Sequence, residues 1–550
     1  MKDLQKIDEI DVIKKVSLLP AVFFCLIQLC TVVDNVGLMN SSSAITATFH
    51  SSVADIQIAN VMFSLMAGSI MIAAGFLGRM IGWKRLMQIG LLVLAVGELM
   101  CVLSPNITVF VYCARVLVGI GASLAVPAVL GLITSMYQKK QQAAVFGLVA
   151  ASIAIGASIF PLITGLIIVY INWQFIYIIL TILFTISLLY ISFCIAADKV
   201  EKKKKTFDLV GFILIFLSLS MLIMGLSKII KWGFIEPDTP PFLVFGYSPA
   251  VFVLGAGIIS LFLFILWGFK REKKKGVESV LIPRVFLTNR QTRSSLSMNA
   301  FIYVGMGGVT FLFFIFLQMF FNASAITTGL VMLVFSAGMI PFSLFTPRFG
   351  GNFSPRAICM LGIIISAVAC MLLGFGITAL HGIGIIFYIA LFILGVGTGI
   401  VASQANFIVA ASIKDKKLAA ESSGLQGAMR NIGQALSLSI VGVIFISILT
   451  VTLHYKVDKS TKINSISKQR IEKEKVIYAY NTKTLLKLIH SKYKNISPEG
   501  EKAANTIMRN SSIFAFKLTN IIMGFLLLLF LLLAKDLSSE KLKLIQKHDN

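Results

Sequence analysis

Residues 108–134 read TVFVYCARVLVGIGASLAVPAVLGLIT. A helix that crosses a bilayer needs about 20 predominantly apolar residues, and this run supplies them with a single charged side chain, Arg115. Other windows of the same kind lie near 17–39, 56–77, 86–103, 144–168, 173–195, 208–228, 249–269, 295–320, 326–346, 357–378, 384–411, 423–453 and 513–534. Since these windows lack the period-2 alternation of a transmembrane barrel, the sequence predicts an all-α integral membrane protein with 14 transmembrane helices.

The composition agrees with a membrane protein. Of the 550 residues, 57% are apolar and 13% are charged, and the mean hydropathy is +0.90. Ordinary soluble proteins are about 45–50% apolar and about 25% charged. This balance excludes a soluble multidomain enzyme and a disordered chain. The net charge of +25 is typical either of a nucleic-acid-binding protein or of a membrane protein with basic cytoplasmic loops.

The positions of the basic residues distinguish these two interpretations. An even number of spans places both termini on one side, and the segments on that side hold most of the Lys and Arg residues. These include Lys14, Lys15, Lys84, Arg85, Lys139, Lys140, Lys202–Lys205, the stretch from Lys270 to Arg293, Arg348, Arg356, Lys416 and Lys417. The short loops of the other side hold only Lys228 and Lys231. This asymmetry predicts that the N and C termini are cytoplasmic and requires no nucleic-acid partner.

One segment departs from the asymmetry. Residues 454–512 are rich in Lys and Arg and, by the parity of the spans, lie outside. The positive-inside rule governs long loops weakly, so the predicted orientation stands. If one upstream span were absent, however, this loop would be cytoplasmic.

Several kinds of site are missing from the sequence. The seven Cys lie in apolar runs without a CxxC pair, the five His form no HExxH motif, and there is no GxxxxGK[ST] phosphate loop. We therefore expect no metal, no cofactor and no enzymatic activity, and any energy for transport has to come from a gradient. The first apolar run contains no small-residue cleavage site, which favours a first span over a signal peptide.

The segment after the second span reads Gly75-Phe-Leu-Gly-Arg-Met-Ile-Gly-Trp-Lys-Arg85. Its glycines allow a tight turn, and its basic pair suits helix ends and lipid headgroups. It resembles the gating loop between the second and third spans of the major facilitator superfamily, written GxLaDrxGrkxxl, at Gly75, Leu77, Gly82, Lys84 and Arg85. The acid of that motif, which in the family belongs to a charge latch between the halves, is Arg79 here. The resemblance implies that the latch is absent or rebuilt.

Two further motifs occupy the fourth and fifth spans. Arg115-Val-Leu-Val-Gly-Ile-Gly-Ala122 resembles the RxxxGxGaa motif of the same family. The fifth span resembles the family's glycine-rich antiporter motif at Gly147, Gly156, Pro161 and Gly165. Glycines such as Gly119 and Gly121 also let helix backbones approach closely, so helix packing alone explains these runs equally well.

Other features resemble the fourteen-span drug:proton antiporter branch of the superfamily. Two extra spans separate the halves, introduced by Phe207-Asp-Leu-Val-Gly211 and ending in Trp232-Gly233. Asn172–Tyr177 is similar to the stretch that opens the sixth span in that branch, and Gln318 and Gly329 follow its polar-Gly pattern. The stretch Arg348–Gly362 echoes the first-half motif, and paired repeats build this fold. The resemblance covers residues 15 to about 450.

The resemblance implies the major facilitator fold with a 6+2+6 arrangement of spans. We expect a cytoplasmic N-terminus 1–16, a first six-helix bundle 17–195, two linker helices with a basic cytoplasmic loop 196–294, a second six-helix bundle 295–534 that includes loop 454–512, and a cytoplasmic tail 535–550.

Ionisable side chains inside the spans are candidates for the mechanism, because each costs roughly 2.5–3.5 kcal/mol at the bilayer centre. They are Asp34, Glu98, Arg115 and Arg430. At about 1.5 Å per residue, Asp34 and Arg115 both lie roughly 8–10 Å from the outer ends of their spans, and we expect them to communicate directly or through water. The hypothesis is that Asp34 alternates between protonated and ionised forms; the alternative is a static ion pair.

Glu98 lies in the same outer layer on a span expected to be peripheral. It is either a second acid for proton coupling or a side chain that snorkels to the outer interface, and we favour snorkelling. Arg430 is expected to contact carbonyl groups or to pack within the second half.

Uncharged polar residues are candidates to line a substrate cavity. They are Asn299, Gln318, Gln404 and Asn406. Hydrogen bonds between helices would explain each of them equally well.

The resemblance, together with these features, implies a monomeric, proton-coupled secondary transporter of the inner (plasma) membrane that exports small amphipathic or cationic compounds by alternating access. Its partners would be the small-molecule substrate, protons and the lipid bilayer. Three alternatives stay open: a specific exporter of a metabolite, siderophore or lipid-linked compound, a proton symporter, and a non-transporting receptor or scaffold that binds through residues 454–512.

Overall fold

A computed structural model describes residues 19–137, 139–196, 207–233, 242–321, 323–349, 353–378, 382–411, 416–460 and 498–539. The predicted N-terminus 1–16, most of loop 454–512 and most of the tail 535–550 lie outside these residues. The described part of the chain is mostly helical, as the apolar windows predict.

The described residues before 197 form eight longer helices. They are α1 (Leu19–Asn40), α2 (Ser42–Phe49), α3 (Val53–Ile81), α4 (Trp83–Leu103), α5 (Arg115–Met136), α6 (Lys139–Ser158), α7 (Phe160–Tyr170) and α8 (Gln174–Cys194). Helix α3 begins at a capping box, in which Ser52 and Asp55 satisfy each other's backbone donors. A short α-helical turn, Ile107–Val109, and a π-helical turn, Phe110–Ala114, lead directly into α5.

Eight longer helices follow in the described residues after 206. They are α9 (Leu209–Trp232), α10 (Pro249–Lys275), α11 (Arg290–Ile315), α12 (Ala325–Phe349), α13 (Pro355–Leu373), α14 (Ile385–Ala411), α15 (Lys416–Asp458) and α16 (Pro498–Leu528). Shorter elements are the 3-10 turn Val277–Ser279, the helices Arg284–Thr288 and Phe530–Ala534, and the π-helical turn Phe316–Phe320 that continues α11. Strands β1 (Ile377–Thr378) and β2 (Gly382–Ile383) pair antiparallel, with Ile377 opposite Ile383.

Thirteen helical segments of the described residues are long and apolar enough to cross a bilayer. The pair Ala151–Ser158 and Phe160–Tyr170, bent by 43°, makes a fourteenth when it is counted as one span. The bend falls next to Pro161, which lacks a backbone donor and whose ring clashes with the preceding turn. The predicted 14 spans are therefore confirmed, with the fifth span broken near its middle.

Two helices extend beyond the windows that predicted them. Helix α15 continues to Asp458, and α16 already begins at Pro498. The described residues at both ends of the predicted loop 454–512 are therefore helical, and the loop proper is shorter than expected.

The loops expected to be cytoplasmic lie together at one end of the bundle, which we call the basic end. Lys84 Nζ at the start of α4 donates to Ile195 O (2.6 Å) and Ser192 O (3.0 Å) at the end of α8. Arg356 at the start of α13 donates through Nε (3.0 Å) and Nη2 (2.8 Å) to Leu537 O. Lys84 thus meets the C-terminus of α8, where backbone carbonyls lack partners and the helix dipole is negative, and Arg356 binds the turn just after helix Phe530–Ala534. We call the opposite end of the bundle the distal end.

Close backbone approach holds the first bundle together. A Cβ on Gly121 would lie 2.6 Å from the backbone N of Leu94, and one on Gly119 would lie 2.7 Å from Phe63 O. The glycines of the Arg115 motif thus seat α5 against both α4 and α3 at distances that larger residues would prevent. Large apolar side chains such as Leu92 project from the outer surface of the bundle, where lipid would contact them.

Candidate functional site

Asp34 on α1 and Arg115 at the start of α5 form a direct, two-pronged ion pair. Arg115 Nη2 donates to Asp34 Oδ2 at 3.0 Å, and Arg115 Nη1 donates to Asp34 Oδ1. The side chains are 1% and 0% exposed, respectively. The sequence predicted contact either directly or through water, and the contact is direct. Bidentate guanidinium–carboxylate pairs combine strong hydrogen bonding with a fixed orientation.

The local backbone places Arg115 against this acid. The π-helical turn Phe110–Ala114 ends immediately before Arg115, and single π-turns inside α-helices occur frequently at functional sites. The guanidinium carbon lies 5.0 Å from the centre of the Phe63 ring, a cation–π contact from α3. Arg115 Nε has no hydrogen-bond partner among the described residues. A carboxylate and an aromatic ring from two different helices thus contact the same guanidinium.

Glu98 on α4 lies beside the Asp34–Arg115 pair. The sequence analysis favoured a side chain that snorkels to the outer interface, and this prediction was wrong. The side chain does not snorkel towards an interface, because it is 0% exposed. Neither of its carboxylate oxygens has a hydrogen-bond partner within the described ranges. It lies close enough to Asp34 and Arg115 to interact with both electrostatically. The reason is the packing of α4 on α5, which turns this face of α4 inwards.

Tyr177 on α8 is a member of this cluster that the sequence analysis missed. It is fully buried, its Oη has no partner among the residues that the structure describes, and it interacts electrostatically with Arg115, Asp34 and Glu98. The sequence marked Asn172–Tyr177 only as a resemblance. Two acids, one cation and one phenol thus share one buried site, which we call the acid–arginine cluster.

The two halves contact each other at the distal end, in a set of contacts that we call the distal closure. Gln318, in the π-helical turn after α11, donates from Nε2 to Asn40 O (2.9 Å) and Asn40 Oδ1 (3.1 Å). Asn40 in turn donates to Pro161 O at 2.7 Å. A Cβ on Gly165 would lie 2.7 Å from Ala325 O, so α7 touches α12 at backbone distance. Asn40 was not predicted, and Gln318, predicted to line the cavity, lies in a contact between the halves.

Residues on one face of α15 make polar or cation–π contacts with neighbouring helices at successive turns. Gln57 on α3 donates to Leu438 O on α15 at 2.7 Å. One turn before Leu438, Gln434 Nε2 donates to Asn35 Oδ1 on α1 at 3.0 Å. Arg430 lies one turn earlier still, with its guanidinium carbon 5.6 Å from the centre of the Tyr303 ring on α11.

The structure does not gather the other predicted cavity residues. Asn299 on α11 is 1% exposed, and Gln404 on α14 is equally buried. Gln404 Nε2 donates to Ser403 Oγ at 3.1 Å, while its Oε1 lacks a partner in the described part of the chain. Asn406 lies on α14, and its side chain is outside the described part.

The predicted gating loop is almost entirely helical. Helix α3 runs through Gly75 to Ile81, and α4 starts at Trp83, so Gly82 alone connects them. Its φ of 93° is accessible to glycine and strained for other residues. Lys84 binds the end of α8 as described above, and Arg85 is exposed. The Arg79 side chain, on which the latch depends, lies outside the described part.

The glycines of the fifth-span motif differ in what they contact. A Cβ on Gly156 would lie 3.2 Å from the Val32 side chain, so α6 packs closely on α1. Gly165 packs on α12, and Pro161 lies at the bend and accepts from Asn40. The immediate surroundings of Gly147 lie outside the description.

The Phe207–Gly211 motif joins the two linker helices. Asp208 Oδ1 accepts from Gly211 N (3.0 Å) at the start of α9 and from Trp267 Nε1 (2.9 Å) on α10. Arg271 Nη1 lies 3.5 Å from the same oxygen. A Cβ at position 211 would collide with the Asp208 carboxylate, which accounts for the glycine.

Part of the basic segment 454–512 forms a separate cavity of about 650 Å³ at the distal end. It is lined by Lys456 on α15, by Lys459 just after that helix and by Lys502 on α16. Lys459 Nζ lies 4.4 Å from the centre of the Tyr455 ring. This cavity is separate from the acid–arginine cluster.

Several known transporters are similar in sequence to this chain. It is 22% identical over 437 residues to the riboflavin transporter RibZ of Clostridioides difficile strain 630, covering 79% of this chain and 90% of RibZ. It is 23% identical over 415 residues to the tetracenomycin C resistance and export protein of Streptomyces glaucescens, covering 74% and 72%. With the multidrug efflux pump LfrA of Mycolicibacterium smegmatis strain ATCC 700084 / mc(2)155 it shares 22% identity over 386 residues, covering 70% and 72%.

Solved structures share the fold. The POT family transporter PepTSo superposes with a TM-score of 0.54 at 13% identity, covering 94% of this chain and 99% of PepTSo. A bacterial homologue of the human lysosomal transporter Spinster, in an inward-facing, unoccupied conformation, gives 0.53 at 13% identity, covering 94% and 98%. The sequence profile of the Major Facilitator Superfamily matches residues 22–438. With its helical spans, its closed distal end and this match, the chain belongs to the Major Facilitator Superfamily of membrane transporters.

Proposed function

We propose that the protein is a proton-coupled exporter of small molecules in which the acid–arginine cluster couples proton movement to alternating access. The observation that carries the proposal is the buried Asp34–Arg115 pair with an unpartnered Glu98 beside it. The similarity to an export protein for tetracenomycin C and to a multidrug efflux pump supports the export direction.

The cluster contains two carboxyl groups and one guanidinium. A buried carboxylate without a hydrogen bond is strongly disfavoured, so burial favours the neutral, protonated form of Glu98. Asp34 accepts two hydrogen bonds from Arg115 and is its ion-pair partner. The cluster then holds one proton and one ion pair.

We assign the coupling step to an exchange of these two roles. The proton leaves the Glu98 carboxyl and reaches the Asp34 carboxylate, and Arg115 then pairs with the Glu98 carboxylate. Arg115 keeps one acidic partner throughout, which avoids an uncompensated buried charge. Loss of the proton from Asp34 on one side and uptake of a proton by Glu98 from the other side restore the original state, so one proton moves per cycle.

The change of acidic partner by Arg115 affects the helix that carries the distal closure. Asp34 lies on α1, and the same helix ends at Asn40, which binds Gln318 of the second half. Release of Arg115 from α1 allows this helix to move relative to α5, and the contact at Asn40 weakens with it. Two conformations with different preferences for the proton are what alternating access requires.

The test is transport driven by a pH gradient in inside-out vesicles. The variant Asp34→Asn removes the titrating acid and keeps its size, and we expect it to lose gradient-driven transport. The matched control is Asp55→Asn, which changes an acid in the capping box of α3 at the distal end. Undiminished proton-driven transport by Asp34→Asn contradicts the proposal and favours a static ion pair.

A further inference from the structure

Arg430 on α15 faces the middle of the bundle from the second half. Its guanidinium carbon lies 5.6 Å from the centre of the Tyr303 ring on α11, and the side chain is half-buried. One helical turn further on, Gln434 donates to Asn35 on α1. Because residues four apart share a helix face, Arg430 points to the same interior region, between α11 and α1.

The charge of Arg430 has no acidic partner in the described part of the chain. Among the described residues, Arg115 pairs with Asp34, and Arg271 pairs with Asp208. The acids deep inside the described spans are Asp34, which is committed to Arg115, and Glu98, which is fully buried. Among the described residues, the region between α11 and α1 therefore holds one half-buried positive charge, that of Arg430, and no free carboxylate.

The neighbours of Arg430 suit an aromatic ligand with oxygen acceptors. Tyr303 is half-buried and presents a ring beside the guanidinium. Asn431 is also half-buried, and its Nδ2 donates to Gly427 O at 3.0 Å. A guanidinium in a weakly polar interior gains most from a carboxylate, phenolate or carbonyl oxygen, which its planar fork binds through two hydrogen bonds. A planar ring can stack against Tyr303 at the same time.

We propose that Arg430 is the substrate subsite for the acidic or carbonyl oxygen of a planar aromatic compound, so that this transporter selects anionic and neutral aromatic substrates over cations. The inference rests on the transport function proposed above and narrows the predicted substrates to amphipathic compounds that are not cationic. A cation in this site would meet the charge of Arg430 without a carboxylate to offset it, which costs affinity.

Two xanthene dyes of opposite charge test the inference. Fluorescein is anionic at neutral pH, and tetramethylrhodamine methyl ester has the same ring system and is cationic. Binding of each dye to the purified full-length protein in detergent is measured by fluorescence anisotropy, and transport of each is measured in vesicles with a pH gradient. We expect wild type to bind fluorescein at least about tenfold more tightly than the rhodamine ester.

The variants separate the charge of Arg430 from its role in packing. Arg430→Gln should weaken fluorescein binding about tenfold or more and leave binding of the rhodamine ester unchanged or improved. Arg430→Lys keeps the charge and should retain most of the preference for the anion, which covers the case in which the glutamine variant fails to fold. The matched control is Arg509→Gln, because Arg509 also lies over an aromatic ring, 5.8 Å from the Phe321 centroid, but in the distal part of α16.

The outcomes distinguish this inference from the proposed function. Preference for the anion that depends on Arg430, without any transport driven by the pH gradient, supports the subsite and contradicts proton coupling. Equal or tighter binding of the cationic dye by wild type overturns the subsite. Failure of wild type to bind fluorescein, or unchanged fluorescein binding in Arg430→Gln, overturns it as well.

Discussion

Gln318 Nε2 donates to both the backbone oxygen (2.9 Å) and the Oδ1 (3.1 Å) of Asn40, and so connects the second half of the chain to the first at the distal end. Both side chains are buried. Because Asn40 is the last residue of the helix that carries Asp34, this contact links the distal closure to the acid–arginine cluster through a single helix.

Replacement of Gln318 by Leu should open the distal end more often. The change removes the donor from a buried acceptor, at a cost of about 1–3 kcal/mol to the closed state. In cells that carry Ala325→Cys as a reporter at the α7–α12 contact, maleimide labelling at position 325 should accelerate at least about fivefold. Site-resolved mass spectrometry separates the reporter from the native thiols.

Gln88→Leu is the matched control for that variant. Gln88 also loses a side-chain hydrogen bond, to Ser192 Oγ at 2.9 Å, but this bond lies within the first half near the basic end. Equal acceleration in both variants would show that general loosening, and not the Gln318–Asn40 contact, controls access.

The destabilising effects of replacing Asp34 and of replacing Arg115 should not be additive. Arg115→Gln leaves Asp34 as a buried unpaired acid and should destabilise the protein by about 3–5 kcal/mol. Asp34→Asn should cost less, because Glu98 can take over as the acidic partner of Arg115. The double variant removes both charges and should recover most of the loss in a thermal unfolding assay, yet stay inactive in gradient-driven transport. Additive destabilisation would mean that the two side chains act independently.

Glu98→Gln should separate transport from proton coupling. The amide keeps the size of the acid and carries no charge, so folding and the thermal midpoint should stay close to wild type. Gradient-driven transport should fall at least about tenfold because the proton exchange with Asp34 is lost. Counterflow, in which substrate exchanges without net proton movement, should persist. Normal gradient-driven transport by this variant would remove Glu98 from the coupling step.

Replacement of two motif glycines by alanine should change the free energy of unfolding in opposite directions. A Cβ on Gly121 would lie 2.6 Å from Leu94 N, so Gly121→Ala forces α4 and α5 apart and should destabilise the protein by roughly 1–3 kcal/mol. A Cβ on Gly75 would meet nothing within 4 Å, so Gly75→Ala should leave the protein as stable as wild type or up to about 1 kcal/mol more stable, through better helix propensity. Thermal unfolding of the two variants side by side is the measurement. Similar behaviour of both would contradict the assigned packing.

Much of the architecture follows from one-dimensional features of the sequence. Apolar windows located the spans, because every helix must present enough apolar length to cross the hydrocarbon layer. Charged residues inside those windows were candidates for function, because a charge within the hydrocarbon layer is costly. Two of them, Asp34 and Arg115, are in direct contact. Pro161 marked the position at which the fifth span bends.

The sequence did not predict which faces of different helices pack against each other. Glu98 was expected to reach an interface, because nothing in α4 alone indicates that this face packs against α5. Tyr177 and Asn40 carried no charge and therefore no local signal, although one lies in the acid–arginine cluster and the other in the distal closure.

The sequence by itself thus determined the number of spans, the distribution of positive charge among the loops and the presence of two acids and two arginines within the membrane. Only the tertiary structure decided that Arg115 pairs with Asp34, that Glu98 is left without a hydrogen bond and that Arg430 has no acidic partner among the described residues. The physical reason is that apolar length and charge are properties of single segments, which the chain states directly. Which side chains satisfy one another depends on the rotation and spacing of helices far apart in sequence, and these are set by packing at the glycine contacts.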